Sequence, residues 1–189
     1  MYRLRFVFVL CLSGLPAAAF AQVDYRVIAT SKTSTAEKEM NEAADAGFRF
    51  GGVMGGDTAF GGSEVVTVMH RENRADAGRY SYKLLATTRT STMQKEMQEA
   101  GDAGFEYRGQ TVFKSLFGGK EAVVVLERDR EMKDRPAFEY RLLATSKTST
   151  LQKELGEAGA AGYQFVGLTV ADTAVGGAEV VAILRKVRR

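Results

Sequence analysis

The chain has 189 residues, with 26 Lys and Arg against 23 Asp and Glu, one histidine and one cysteine. A lone cysteine cannot close an internal disulfide or build a cysteine metal cluster, and a lone histidine leaves little for imidazole-based catalysis. The near-balance of charge argues against a nucleic-acid partner.

The first 21 residues read as a secretory leader. Arg3 and Arg5 precede the apolar run "FVFVLCLSGL" (6–15), which is too short to span a bilayer, and "AFA" (19–21) is a small-x-small cleavage site. The expected cut after Ala21 leaves no transmembrane segment and removes Cys11, so the mature chain carries no thiol. It also removes two of the positive charges behind the net +3. The expected location is periplasmic or secreted. The basic end "RKVRR" (185–189) reads as a solvated tail.

The remainder repeats. "ATSKTST" (29–35) recurs at 144–150 and, as "ATTRTST", at 86–92; Tyr25, Tyr82 and Tyr140 open three similar segments. Repeats are expected over 24–70, 81–127 and 139–187, joined by polar linkers at 71–80 and 128–138. The first strand of each ("YRVIAT", "YKLLAT", "YRLLAT") alternates apolar residues on both faces. Ile28, Leu85, Leu143, Val166 and Leu168 are expected on the face away from the helix.

Next comes the shared phrase. Ser34, Ser91 and Ser149 stand three residues before Glu37, Gln94 and Gln152, the spacing of a capping box, so each "TST" is expected to start a helix with serine as the cap. The stripe Ala36, Met40, Ala43 and Ala44, with Met93, Met97 and Ala100, and Leu151, Leu155 and Ala158, predicts one buried face. Gly47, Gly104 and Gly162 stop the helices in the left-handed conformation that glycine adopts cheaply.

Strand two carries Phe48 and Phe50, Phe105 and Tyr107, Tyr163 and Phe165. "GGVMGG" (51–56) within it reads as a bulge or loop. Strand three ("EVVTVM", "EAVVVL", "EVVAIL") is the most apolar and is expected at the sheet centre. The fold class is therefore α+β: three tandem βαββ repeats, each a three-stranded antiparallel or mixed sheet of order 1-3-2, half of a ferredoxin-like sheet, with one helix on one face. A unit this small buries too little surface to be robust alone. Each sheet is expected to pack on another sheet, from a sister repeat or another chain.

The helix-to-strand runs "KEMQEAGDAGFEYRG" (95–109) and "KELGEAGAAGYQFVG" (153–167) carry a resemblance. They resemble the short bacterial βαββ domains of unassigned function with a "LGAEGWELV"-like corner. Gly104, Phe105 and Glu106 match that corner, as do Gly162, Tyr163 and Gln164, with Phe or Tyr in place of Trp. The resemblance implies the βαββ fold and brings no catalytic residues.

Two loops are candidate sites. At the helix starts, Lys32, Thr33 and Ser34, with Arg89, Thr90 and Ser91 and with Lys147, Thr148 and Ser149, combine free N–H groups, hydroxyls and a cation into a possible anion site. At the hairpin tips, Phe60, Phe117 and Val175 precede Gly-Gly turns and are candidates for partner contact. No nucleotide, metallopeptidase or serine-hydrolase motif occurs, and no cofactor or metal is expected. His70 stands where Glu127 and Arg185 stand in the other repeats, without a clustered partner. Glu64, Glu121 and Glu179 recur at strand starts for structural reasons; an acid–base role would require two close carboxylates in a cleft with shifted titration.

The expected function is a non-catalytic binding or assembly module of the cell envelope. Its partner would be a protein or envelope component, self-association included. The alternative is a small-ligand or anion-binding protein using the helix starts or a pocket between sheets.

Overall fold

Three times over, the chain runs strand, helix, strand, strand in a computed structural model that describes residues 22–59, 62–72, 76–114, 120–172 and 177–188. Repeat 1 is β1 (Asp24–Thr30), α1 (Thr33–Asp45), β2 (Arg49–Thr58) and β3 (Gly62–Arg71). Repeat 2 is β4 (Tyr80–Thr87), α2 (Thr90–Asp102), β5 (Glu106–Lys114) and β6 (Lys120–Asp129). Repeat 3 is β7 (Ala137–Thr145), α3 (Thr148–Ala160), β8 (Gln164–Asp172) and β9 (Ala178–Arg188). The sheets have orders β1-β3-β2, β4-β6-β5 and β7-β9-β8, all antiparallel. The most apolar strand is central in each, as its composition predicts, and Val123, Val124, Val125 and Leu126 are fully buried.

The shared phrase does start a helix, but serine is not the cap. Lys32, Arg89 and Lys147 occupy the cap position with extended backbone and no capping side-chain bond, and the helices begin one residue earlier than the serine. The preceding threonine turns the chain instead. Thr30 Oγ1 accepts from Lys32 N–H at 3.2 Å, and Thr87 and Thr145 do the same for Arg89 and Lys147 at 3.1 Å. The helix ends follow the sequence reading. Gly47, Gly104 and Gly162 have φ of 89°, 80° and 87°, and the following aromatic N–H bonds back to Ala43, Ala100 or Ala158. A cation from the third strand then covers that aromatic: Arg71 over Phe48, Arg128 over Phe105 and Lys186 over Tyr163.

The expected face assignment of the first strand is reversed. Ile28 packs with Ala36 and Met40, Leu85 with Met93 and Met97, and Leu143 with Ala158, so these side chains face their own helix. Apolar residues on both faces satisfy period two either way, and the pattern alone cannot say which face meets the helix. The other face, with Tyr82 and Leu84 in β4 and Tyr140 in β7, rests on the helix of the preceding repeat.

α1 and α2 are thus each sandwiched between their own sheet and the next one, while α3 has only its own sheet. α1 packs on β4 and α2 on β7, while β2 packs on β5 and β5 on β8. The expected sheet-to-sheet contact makes up only part of each seam; a helix supplies the rest. One core spans repeats 1 and 2, a second spans repeats 2 and 3, and a third, much smaller, lies within repeat 3.

Candidate interaction site

The seams are built from the sequence columns that the capping box was expected to use. Glu37, one turn into α1, accepts the Leu84 N–H at 2.7 Å rather than returning to its own cap. One turn later Asn41 pairs with both backbone groups of Tyr82, accepting its N–H and donating to its C=O, each at 3.0 Å. In α2, Gln94 binds Tyr140 C=O and Leu142 N–H, each at 2.8 Å, and Gln98 binds Phe138 C=O and Tyr140 N–H. β4 and β7 are edge strands, and these side chains complete hydrogen bonds that an edge leaves open.

Aromatic side chains key into glycines across the sheets. A Cβ at Gly109 would lie 3.2 Å from Phe50 Cζ. One at Gly167 would overlap the Tyr107 hydroxyl and lie 2.7 Å from Gln110 Oε1. On the helix side, a Cβ at Gly101 would overlap Phe138 O and reach within 2.9 Å of the Tyr140 ring. The tyrosines that open repeats 2 and 3 tie the seams further. Tyr82 Oη accepts Phe50 N–H at 2.8 Å, and Tyr140 Oη accepts Tyr107 N–H at 2.7 Å.

Charge sits at one register position of each seam. Glu127 is only 3 % exposed, and it accepts hydrogen bonds from Arg49, Arg108 and the Tyr82 hydroxyl. Burial opposes its charge, but the Arg49 hydrogen bond, the Arg108 charge and the Tyr82 hydroxyl outweigh it, so the carboxyl titrates below its ordinary value. Burial, and then the neighbouring Glu127 charge, push the Tyr82 hydroxyl far up. At the next seam the signs exchange, and Arg185 of β9 reaches Glu106 of β5.

Glu106 and Glu127 face each other across the sheet and line a cavity of ≈ 200 Å³. That is the close carboxylate pair that would favour an acid–base enzyme. Yet Arg49, Arg108 and Arg185 neutralise both, and Glu127 is shifted downward, which leaves it no proton to give near neutral pH. The geometry is that of a structural ion cluster.

Two faces remain outside the seams. The outer face of the first sheet exposes Tyr25 (69 %), Val27, Met54 and Val68. Its counterparts Tyr82 and Tyr140 are 3 % and 2 % exposed. At the other end, the helix-side face of β8 exposes Phe165 (55 %), Leu168 and Val170, and α3 buries only Ala158.

The residues singled out from sequence are not gathered. The three helix starts belong to three different repeats, with Lys32, Arg89, Lys147, Ser34, Ser91 and Ser149 exposed. Thr90 gives its hydroxyl to Glu179 at 3.0 Å. A cavity of ≈ 170 Å³ beside the α2 start is lined by Thr87, Thr88 and Lys120, without Arg89, Thr90 or Ser91. Phe60, Phe117 and Val175, like residues 1–21, lie outside the described residues. His70 lies on the outer face of the first sheet, opposite Arg49. The strand after Phe50 does bulge at Gly51, and the same bulge occurs at Arg108 and Val166, so it belongs to every repeat. Among the described residues no cluster of three His, Cys, Asp or Glu could hold a metal ion, and no helix is long and apolar enough to cross a membrane.

Sequence reasoning passed over Asn41, Gln98 and the Glu127 cluster. The signal was available as two polar columns one helical turn apart, Glu37/Gln94 and Asn41/Gln98, on a stripe next to the apolar one. Comparison of the chain with family models, with curated proteins and with solved structures finds no match.

Proposed function

We propose that this chain is a non-catalytic binding or assembly module, exported to the cell envelope, that acts through the two faces its repeats leave bare. One observation carries the reading. Of the nine large hydrophobic side chains exposed among the described residues, seven lie on those two faces: Tyr25, Val27, Met54 and Val68 on one, and Phe165, Leu168 and Val170 on the other. Apolar surface gathered into patches marks contact sites, whereas scattered apolar residues do not. The leader-like N-terminus and the likeness to short βαββ domains support a small exported module.

The test is hydrogen exchange on the protein in its own envelope fraction and after purification. Slowed exchange in β1 or β8 in the envelope fraction, relative to the dilute purified protein, supports contact through these faces. Equal exchange in both states removes the reading.

A further inference from the structure

The two bare faces correspond, column by column, to the two sides of the seams inside the chain. We propose that the chain associates head to tail with a second copy of itself. The outer face of β1–β3–β2 in one copy would cover α3 and β8 of the next, as β4–β6–β5 covers α1 and β2. This rests on the binding reading above and names the partner.

The end faces carry the same residue columns as the seams already formed inside the chain. Gly101 in α2 is a glycine because Phe138 and Tyr140 of the next sheet press on it. Its counterpart in α3 is Gly159, which has nothing within 4 Å of a built Cβ. Glycine is a poor helix former, and within one chain Gly159 has no contact that requires it. The same holds on the sheet. Gly109 and Gly167 receive Phe50 and Tyr107, while their counterpart Gly52 is open. The aromatic that would fill it, Phe165, is the exposed counterpart of Phe50 and Tyr107.

The polar groups match in the same way. Gln152 stands in the column of Glu37 and Gln94, but its side chain makes no hydrogen bond among the described residues, and the outer edge of β1 has no helix beside it. The internal seams place Arg49 against Glu127 and Glu106 against Arg185. The leftover pair in this column is Gln164 and His70, so no like charges would meet. No hydrogen bond or ion pair among the described residues joins repeat 1 to repeat 3. Joining two different surfaces head to tail gives a heterologous contact, which either closes into a ring or continues as a filament. Gly156 replaces the amide of Asn41 and Gln98, so this seam has fewer backbone clamps than the internal ones and is the weaker, reversible one.

The test uses protein expressed from the full sequence and purified, followed by sedimentation velocity and native mass spectrometry over a wide dilution series. Concentration-dependent association is expected. Gly159→Leu fills the open space on α3, and Tyr25→Arg places a charge in the outer face of the first sheet. Both positions are uncovered within one chain, so thermal melting of the monomer should not fall. Each variant alone should stay monomeric, and the two mixed should form a one-to-one heterodimer and stop there, because each blocks only one end. A wild-type protein that stays monomeric throughout overturns the proposal. So does a single variant that still self-associates, since that would mean a symmetric contact. If the purified protein is monomeric while the envelope fraction still slows exchange in β1 or β8, the binding reading stands and the partner is a different molecule.

Discussion

At the seam between repeats 1 and 2, Arg49 reaches across to Glu127; at the seam between repeats 2 and 3, the equivalent position sets Glu106 against Arg185. The surroundings are otherwise alike, with a polar helix clamp on an edge strand and an aromatic over a glycine. The exchange of sign shows how three near-identical units keep their order. Repeat 2 presents Glu127 to repeat 1 and Glu106 to repeat 3, so a second repeat 2 on either side would bring carboxylates together. Glu106 and Glu127 also face each other within the sheet, where like charges directly opposite are destabilising. Repeat 2 is neutralised in part by arginines from both neighbours.

Removing the buried carboxylate should break this comparison most severely. Glu127→Ala leaves Arg49 without its anion and Arg108 with Glu106 alone; because both arginines stay partly exposed to water, the cost should fall at the low end for a broken buried pair, about 3 kcal/mol. Chemical denaturation should show that loss, with the largest loss of hydrogen-exchange protection in α1 and β4. Acid should produce a milder, reversible form of the same effect. The Glu127 carboxyl is depressed in the folded state, so its contribution is complete above the ordinary carboxylate range and disappears as pH falls through its lowered value. Wild type should therefore lose more stability between neutral and acidic pH than Glu127→Gln does; equal slopes would show that the cluster contributes nothing.

Arg49→Gln should cost less than Glu127→Ala, about 2 kcal/mol, because Arg108 still pairs with Glu127 and only one charged hydrogen-bonding partner is lost. Asn41→Ala frees the Tyr82 N–H and C=O and should cost about 1–2 kcal/mol; Gln98→Ala should match it at the second seam. A difference of several-fold between the two would mean the clamps are not equivalent. The smallest effect has opposite signs at two equivalent glycines. In dilute monomer, Gly159→Ala should raise stability by about 0.5 kcal/mol, the low end of the helix-propensity gain because the residue stands in the last turn, while Gly101→Ala should lower it through collision with Phe138 and Tyr140.

Much of the fold was legible because its signals are local. Repetition of the Tyr-opened strand, the stop at Gly47, Gly104 and Gly162, and the apolar third strand were enough for the βαββ units and their 1-3-2 order. The seams were not, because a seam is a relation between columns in different repeats. Glu37 three residues after Ser34 fits a capping box as well as it fits an inter-repeat clamp, and only the neighbouring strand decides between them. Ile28 and Val27 are both apolar, and which one meets the helix depends on what covers the other face. His70, Glu127 and Arg185 could be aligned by offset, but their meaning required Arg49, Glu106 and Gln164 in the column opposite.

The sandwiching of α1 and α2 also sets a timetable. As a chain grows or is threaded from its N-terminus, α1 cannot receive its second cover until β4 has emerged, and the Asn41–Tyr82 clamp waits for 41 further residues. The Arg49–Glu127 contact waits for 78, until the strand that closes repeat 2 is made. Consolidation therefore trails synthesis by about one unit, leaving a moving apolar front where a chaperone or translocase would hold the chain. Pulse-labelled refolding should show α1 and α2 gaining protection only with the strands that follow them, and α3 staying the least protected helix to the end.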